Sequence, residues 1–296
     1  MKDAANHPVL RTATWFTAIA LSAVTAYLIS RLFLGGSANT AVQLIAETLQ
    51  GKAFWIALAI GMLAQAVDGA LGMGYGVTAS SFLLGTGASP AVASASTHIA
   101  KFFTTGVSGI AHAKYGNVDR RLFLRLLVPG AVGALVGVYL VTSIDGKALK
   151  PWIAAYLLVL GIYILSKAFR ALRLRASEPR HAGKLALFGG FADAVGGGGW
   201  GPVVTSSLVG AGSDPRTTIG SVNFAEFFMT LAAAAGFTLL AVQGMWPVVA
   251  GLVVGGLFAA PFAALLTRTL HTRTLLIAVG LLIVGLSAWN LYSALA

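Results

Sequence analysis

Two glycine-rich stretches, Gly69-Ala70-Leu71-Gly72-Met73-Gly74-Tyr75-Gly76 and Gly196-Gly197-Gly198-Gly199-Trp200-Gly201-Pro202, interrupt apolar segments that are long enough to enter a membrane. Glycine inside a helix costs about 1 kcal/mol relative to alanine, and four in succession do not sustain a regular helix. Lipid offers no hydrogen-bond partners to the backbone groups that such a break exposes. Irregular backbone at membrane depth therefore persists only where protein encloses it or where it lines a cavity. The two stretches read as two copies of one device, the walls of a substrate site.

Composition puts the flanking segments in a bilayer. Of 296 residues, 57% are hydrophobic and 10% charged, whereas a soluble domain carries about 25% charged residues. The mean hydropathy is +0.83. Apolar blocks of about 20 residues are helical spans, since barrel strands would be about 10 residues of alternating polarity. A net charge of +11 would raise the question of nucleic acid in a soluble chain. Here the basic residues fall in short connections between apolar blocks, where they orient the chain and meet anionic lipid, and no nucleic-acid partner is expected. The absence of cysteine excludes disulfides, thiolate metal sites and cysteine catalysis. There is no P-loop, G-x-S-x-G or H-E-x-x-H pattern, so no enzyme, cofactor or metal is expected.

Taken in order, a span over about 15–34 is read as an uncleaved helix, because it exceeds a signal-peptide core and no small-residue cleavage site follows. A neutral linker, 35–51, comes next. Half-length arms at 53–67 and 77–84 flank the first glycine loop, followed by spans near 90–113, 122–142 and 151–169. A basic connection then marks the middle of the chain. The second half repeats the plan with a broken segment at 185–212 and spans near 215–242, 246–266 and 274–295. Gly72-Met73-Gly74 matches Gly199-Trp200-Gly201 at a shift of 127. Beyond the loops, Pro90, Ser96, His98 and Lys101-Phe102-Phe103 match Pro215, Ser221, Asn223 and Glu226-Phe227-Phe228 at a shift of 125. The expected domains are an N-terminal tail, helix and linker (1–51), a first repeat (52–172), a basic cytoplasmic linker (173–184) and a second repeat (185–296).

The basic regions, which are the N-terminal tail, 114–125, 167–184 and 268–273, lie on one side only if each glycine-broken segment enters and leaves by the same face. The expectation is an all-α polytopic membrane protein with seven transmembrane helices plus two re-entrant or broken helical hairpins. After the extra N-terminal helix, each half holds three crossings and one hairpin, which makes an inverted repeat like that of several secondary transporters. The N-terminus is expected in the cytoplasm and the C-terminus in the periplasm.

The doubled G-x-G loops, each followed by a short apolar arm and a Pro-led helix, resemble the TauE/SafE family of sulfite and organosulfonate exporters over about 53–295. The matching positions are Gly72, Gly74 and Gly76 in the first loop, and Gly199 and Gly201 in the second. Tyr75 and Pro202 depart from the family pattern, and no proline closely follows the first loop. The resemblance implies transport of a small sulfur oxyanion or organosulfonate across the bacterial inner membrane.

His98, Lys101, Thr105, Ser108 and His112 recur at spacings of three and four, one polar face of a spanning helix. Lys101 is eleven residues past Pro90, a rise of roughly 16 Å, which is half of a 30 Å hydrocarbon core. Glu226 holds the equivalent depth in the other half, with Asn223 and Thr230 on its face. An ionisable group there costs roughly 2.5 to 3.5 kcal/mol and must face a cavity or a partner. Two readings stay open: Lys101 and Glu226 pair structurally, or Lys101 receives an anionic substrate while Glu226 either neutralises the empty site or takes the coupling proton. Asp68 and Asp193 flank the loops and either cap backbone, the preferred role, or relay protons. Arms beginning near Tyr75 and Gly201 are expected to point free N–H groups at the anion. Tyr75 and Trp200 are candidate walls or gates, and His98 is either a titrating site residue or a satisfied buried histidine. The substrate-binding candidates are Gly72, Gly74, Tyr75, Gly76, His98, Lys101, Gly199, Trp200, Gly201 and Asn223; the proton candidates are Glu226, Asp68 and Asp193. The expected partners are the anion, the bilayer and protons. A passive anion channel on the same scaffold is the alternative function, and an intramembrane enzyme or lipid-handling protein is the third.

Overall fold

A computed structural model of the protein describes residues 7–34, 38–169, 181–240, 246–269 and 272–296, with side chains except at 31–34, 38–41, 67, 69–71, 261–269, 272 and 275. The described regular structure is entirely helical: α1 (Pro8–Leu34), α2 (Ala38–Gln50), α3 (Lys52–Leu71), α4 (Tyr75–Gly85), α5 (Pro90–Lys114), α6 (Arg120–Ser143), α7 (Gly146–Lys167), α8 (Ala182–Gly196), a π-helical turn (Gly201–Thr205) running into α9 (Ser206–Gly210), α10 (Pro215–Leu239), α11 (Trp246–Thr269) and α12 (Thr272–Leu295). Among the described residues, five helices are long and apolar enough to cross a membrane, or six if the bent pair α2 and α3 counts as one span. Most of the basic linker 173–184 and part of 268–273 lie outside the described residues.

Three expectations need correction. The supposed linker 35–51 contains the helix α2, which meets α3 at a bend of 73°. Its Val42, Ile45 and Leu49 are exposed at helical spacing, the pattern of a helix lying in a membrane interface. Trp55 Nε1 donates to the Leu49 carbonyl at 2.6 Å and ties the bend. Second, the first arm is not half-length: α3 runs for 20 residues, about 30 Å, because Gly69 continues the helix. The chain turns only at Gly72, which sits in the left-handed region (φ 65°).

The third correction is the register of the repeat. The helix before the second loop is closed by Gly197, also left-handed (φ 68°), so Gly72 corresponds to Gly197 and not to Gly199. The shift is then 125 throughout: Asp68 with Asp193, Tyr75 with Trp200, Ser81 with Ser206, Gly87 (φ 93°) with Gly212 (φ 100°), and Lys101 with Glu226. The helix starts correspond as well. The Ser89 side chain accepts from Val92 N and that of Asp214 from Thr217 N, each three residues on, with Pro90 and Pro215 opening the helices.

Packing follows the same exchange. α3 packs on α11 as α8 packs on α6, and α5 meets α11 as α10 meets α6, while α5 meets α10 and α7 meets α12. Small residues permit the closest contacts. Gly133 and Gly137 of α6 sit on the Leu187 and Phe191 backbone of α8, and Gly251 and Gly255 of α11 sit on the Phe54 and Leu58 backbone of α3. The two loops meet at the centre of this arrangement.

Candidate functional site

The loops touch backbone to backbone. A Cβ on Gly76 would lie 2.5 Å from the Gly197 oxygen and 2.9 Å from Gly198 Cα; one on Gly201 would lie 2.8 Å from Met73 Cα. Gly198 is pressed in the same way against Gly76 and Val77. These glycines let the two loops pack without side chains between them. One N–H at the start of each second arm is taken by a side chain. Trp200 N donates to Asp193 Oδ1 at 2.9 Å, and Tyr75 N lies 3.4 Å from Asp68 Oδ1, so each aspartate caps the arm of its own hairpin.

Lys101 lies beside this contact, delivered by α5. Its Nζ is 2.8 Å from Asp193 Oδ2 and 3.1 Å from Oδ1, and 2.7 Å from Glu226 Oε1. Lys101, Asp193 and Glu226 are all buried. One ammonium thus stands between a carboxylate from the second hairpin and one from α10. Asp193 is the anchored partner, held also by Trp200 N and with His98 Nε2 3.1 Å from Oδ2. Glu226 meets Lys101 through Oε1, and Lys101 is the only cation within 4 Å of it among the described residues.

His98 sits between the hairpin and its own helix. Its Nδ1 is 2.9 Å from the Ser94 carbonyl, while the Ser94 hydroxyl donates to the Ala194 carbonyl at 2.5 Å. The structure thus brings Lys101, Glu226, His98 and Asp193 together, with Trp200 joined to Asp193 through its backbone N–H. Asn223 Nδ2 lies 3.5 Å from His112 Nε2, towards the start of α6. Tyr75 and Trp200 are fully buried; the Tyr75 hydroxyl donates to the Leu252 carbonyl at 3.0 Å, and Trp200 Nε1 to the Val222 carbonyl at 3.1 Å. Both rings serve as packing pins in this state. Gly199 sits against the Tyr156 hydroxyl, which donates to the Gly198 carbonyl at 3.1 Å. Gly72 and Gly74 (φ 116°) supply the turn.

Sequence reasoning missed Asp193 as the strongest partner of Lys101, and missed Lys167, whose Nζ reaches the Ser206 hydroxyl and lies 3.9 Å from Met73 Sδ. The first joins residues 92 apart in the chain, which helical spacing does not report. A lysine closing a span in a basic region carried no signal for the second. Among the described residues, no group of three or more His, Asp or Glu side chains is placed to hold a metal ion.

A sequence model of the family described as sulfite exporter TauE/SafE matches residues 57–289, well over half of the chain. The chain belongs to the TauE/SafE family. A relative, the probable membrane transporter protein YtnM of Bacillus subtilis (strain 168), is 41% identical over 244 residues, covering 78% of this chain and 80% of the relative. No solved structure matches the chain. The match makes this a multi-pass TauE/SafE membrane transporter.

Proposed function

We propose that the protein is a secondary transporter that moves a small sulfur-containing anion, such as sulfite, sulfoacetate or another organosulfonate, out of the cell by alternating access between the two hairpins. The observation that carries this reading is the Lys101 ammonium shared between Asp193 and Glu226 beside the tip contact. When Glu226 takes a proton it ceases to compete for Lys101, and the ammonium becomes available to an oxyanion, with the loop glycines and His98 as neighbours. Asp68 is the second proton candidate, since it has weaker contacts than Asp193 at the equivalent position. The family name supports a sulfur oxyanion as cargo. An inside-negative potential drives anions outward by about 2.3 kcal/mol per charge per 100 mV.

The topology we propose is seven crossings, α1, α5, α6, α7, α10, α11 and α12, with α3–α4 and α8–α9 as re-entrant hairpins in an inverted repeat, residues 52–172 and 185–296. Contacts at the hairpin ends support it. Gly183, entering the second hairpin, faces Arg125 and Pro129 near the start of α6. The helix that follows that hairpin returns to the same end, where Arg216 bonds Asn117 and Ser221 bonds Asp119. The first hairpin leaves by the other end of α6, where Pro90 meets Gly146. The basic ends then face the cytoplasm of a bacterial cell, with the N-terminus inside and the C-terminus outside its inner membrane.

The test is flux of labelled sulfite in proteoliposomes with and without a pH gradient. The gradient is expected to change the wild-type rate several-fold and the Glu226→Gln rate hardly at all. Gradient dependence undiminished in the variant contradicts the role of Glu226, and ohmic, unsaturable currents favour a channel over a carrier.

A further inference from the structure

The two halves differ chemically where each broken segment's second arm meets the last helix of the opposite half. Ser81 and Ser206 are equivalent residues on those arms. On the first hairpin the contact is neutral and sealed: the Ser81 hydroxyl is 3.1 Å from that of Ser287 on α12, and Asn290 Nδ2 donates to the Ser81 carbonyl at 2.8 Å, with all three residues buried. On the second hairpin the α7 residue that bonds Ser206 is Lys167, which is only half-buried. Its Nζ lies 3.9 Å from Met73 Sδ and 5.1 Å from the centre of the Tyr163 ring. No described carboxylate lies within 4 Å of it.

Lys167 therefore stands at the rim of the tip contact. Met73 belongs to the first loop and touches Gly201 of the second, and Thr205, next to Ser206, places its hydroxyl 3.5 Å from the Gly72 carbonyl. Lys101 is held by two carboxylates in the interior, whereas Lys167 offers its charge to the α7 end of the molecule, the basic cytoplasmic face by charge bias. Its neighbours are a hydroxyl, a thioether and a ring. A hydroxyl that can turn to donate, beside an ammonium with spare N–H groups, matches two oxygens of one small oxyanion.

We propose that Lys167 and Ser206 form an anion-receiving site at the cytoplasmic edge of the hairpin contact, which takes a small oxyanion before it reaches Lys101. This rests on the transporter reading above and adds a location and a side to it. The pseudo-equivalent Ser81–Ser287–Asn290 contact has no cation, so the two faces of the protein treat an arriving anion differently.

The experiment is isothermal titration of the full chain in detergent with sulfite and, separately, with sulfate, for wild type, Lys167→Gln and Lys167→Arg, with unfolding midpoints recorded in the absence of anion. Lys167→Gln is expected to weaken binding about tenfold at an unchanged midpoint, as expected when a charge-assisted contact worth about 1.4 kcal/mol is lost, and Lys167→Arg to stay within about threefold of wild type. In vesicles of defined orientation, Lys167→Gln is expected to raise the KM for sulfite presented at the cytoplasmic face only. Wild-type affinity in Lys167→Gln, or an equal rise in KM from both faces, overturns the inference while the transporter reading stands. Lys167-dependent binding without any sulfite flux supports the site and contradicts that reading. If the wild type binds neither anion, both fail.

Discussion

At the scale of single residues, the two carboxylates on Lys101 are not equivalent. Asp193 bonds Lys101 through both oxygens, caps Trp200 N and neighbours His98; Glu226 reaches Lys101 through Oε1 at 2.7 Å. Removing the charge of a well-bonded buried partner costs up to about 3 to 5 kcal/mol, offset in part for Asp193 because Glu226 stays on Lys101. Asp193→Asn is therefore expected to lower the thermal unfolding midpoint in detergent markedly. Glu226→Gln keeps an oxygen acceptor and is expected to lower it much less; equal losses contradict the division of anchor and switch. Lys101 and Glu226 were legible in the sequence because a charge in an apolar stretch stands out, and their pairing was one of the two readings it left open. The tie to Asp193 was not legible. It needs a hairpin folded back across 92 residues of chain, which helical spacing cannot report.

Among the elements, the hairpins show what spacing alone leaves ambiguous. With glycines at 72, 74 and 76 and at 196–199 and 201, the loops can be matched at a shift of 127 or 125. The left-handed caps at Gly72 and Gly197 select 125. The break points were readable from glycine content. The length of α3 was not, since Gly69 is tolerated within the helix, and α2 at 13 residues is too short to register as a span. The packing role of the tips gives a direct prediction. Gly76→Ala forces a methyl to within 2.5 Å of the Gly197 oxygen and is expected to destabilise by more than about 2 kcal/mol. Gly210→Ala meets nothing within 4 Å and, at the end of α9, is expected to be neutral or stabilising by up to about 1 kcal/mol. Unfolding midpoints of the two variants check this, and an innocuous Gly76→Ala removes the tight tip contact.

For the whole molecule, the sequence reading and the structure agree on an all-helical membrane protein over the described residues. The proposed orientation of the hairpins rests on the ends of α6. Gly183 and Arg216 gather at its start and Pro90 at its finish, so the loops after the two hairpins, about Thr86 and Ala211, should lie on opposite sides of the bilayer. Everything proposed for the site depends on this, because two tips arriving from opposite faces let one closed contact separate two compartments. The chain has no cysteine, and Thr86 and Ala211 are exposed equivalents at the shift of 125, so single cysteines there give a clean reading. The deciding measurement is labelling of Thr86→Cys and Ala211→Cys with a membrane-impermeant maleimide in intact cells and in inverted vesicles. The expected result is labelling of the first in cells only and of the second in inverted vesicles only; labelling of both from one face contradicts the oppositely directed hairpins on which the transport site rests.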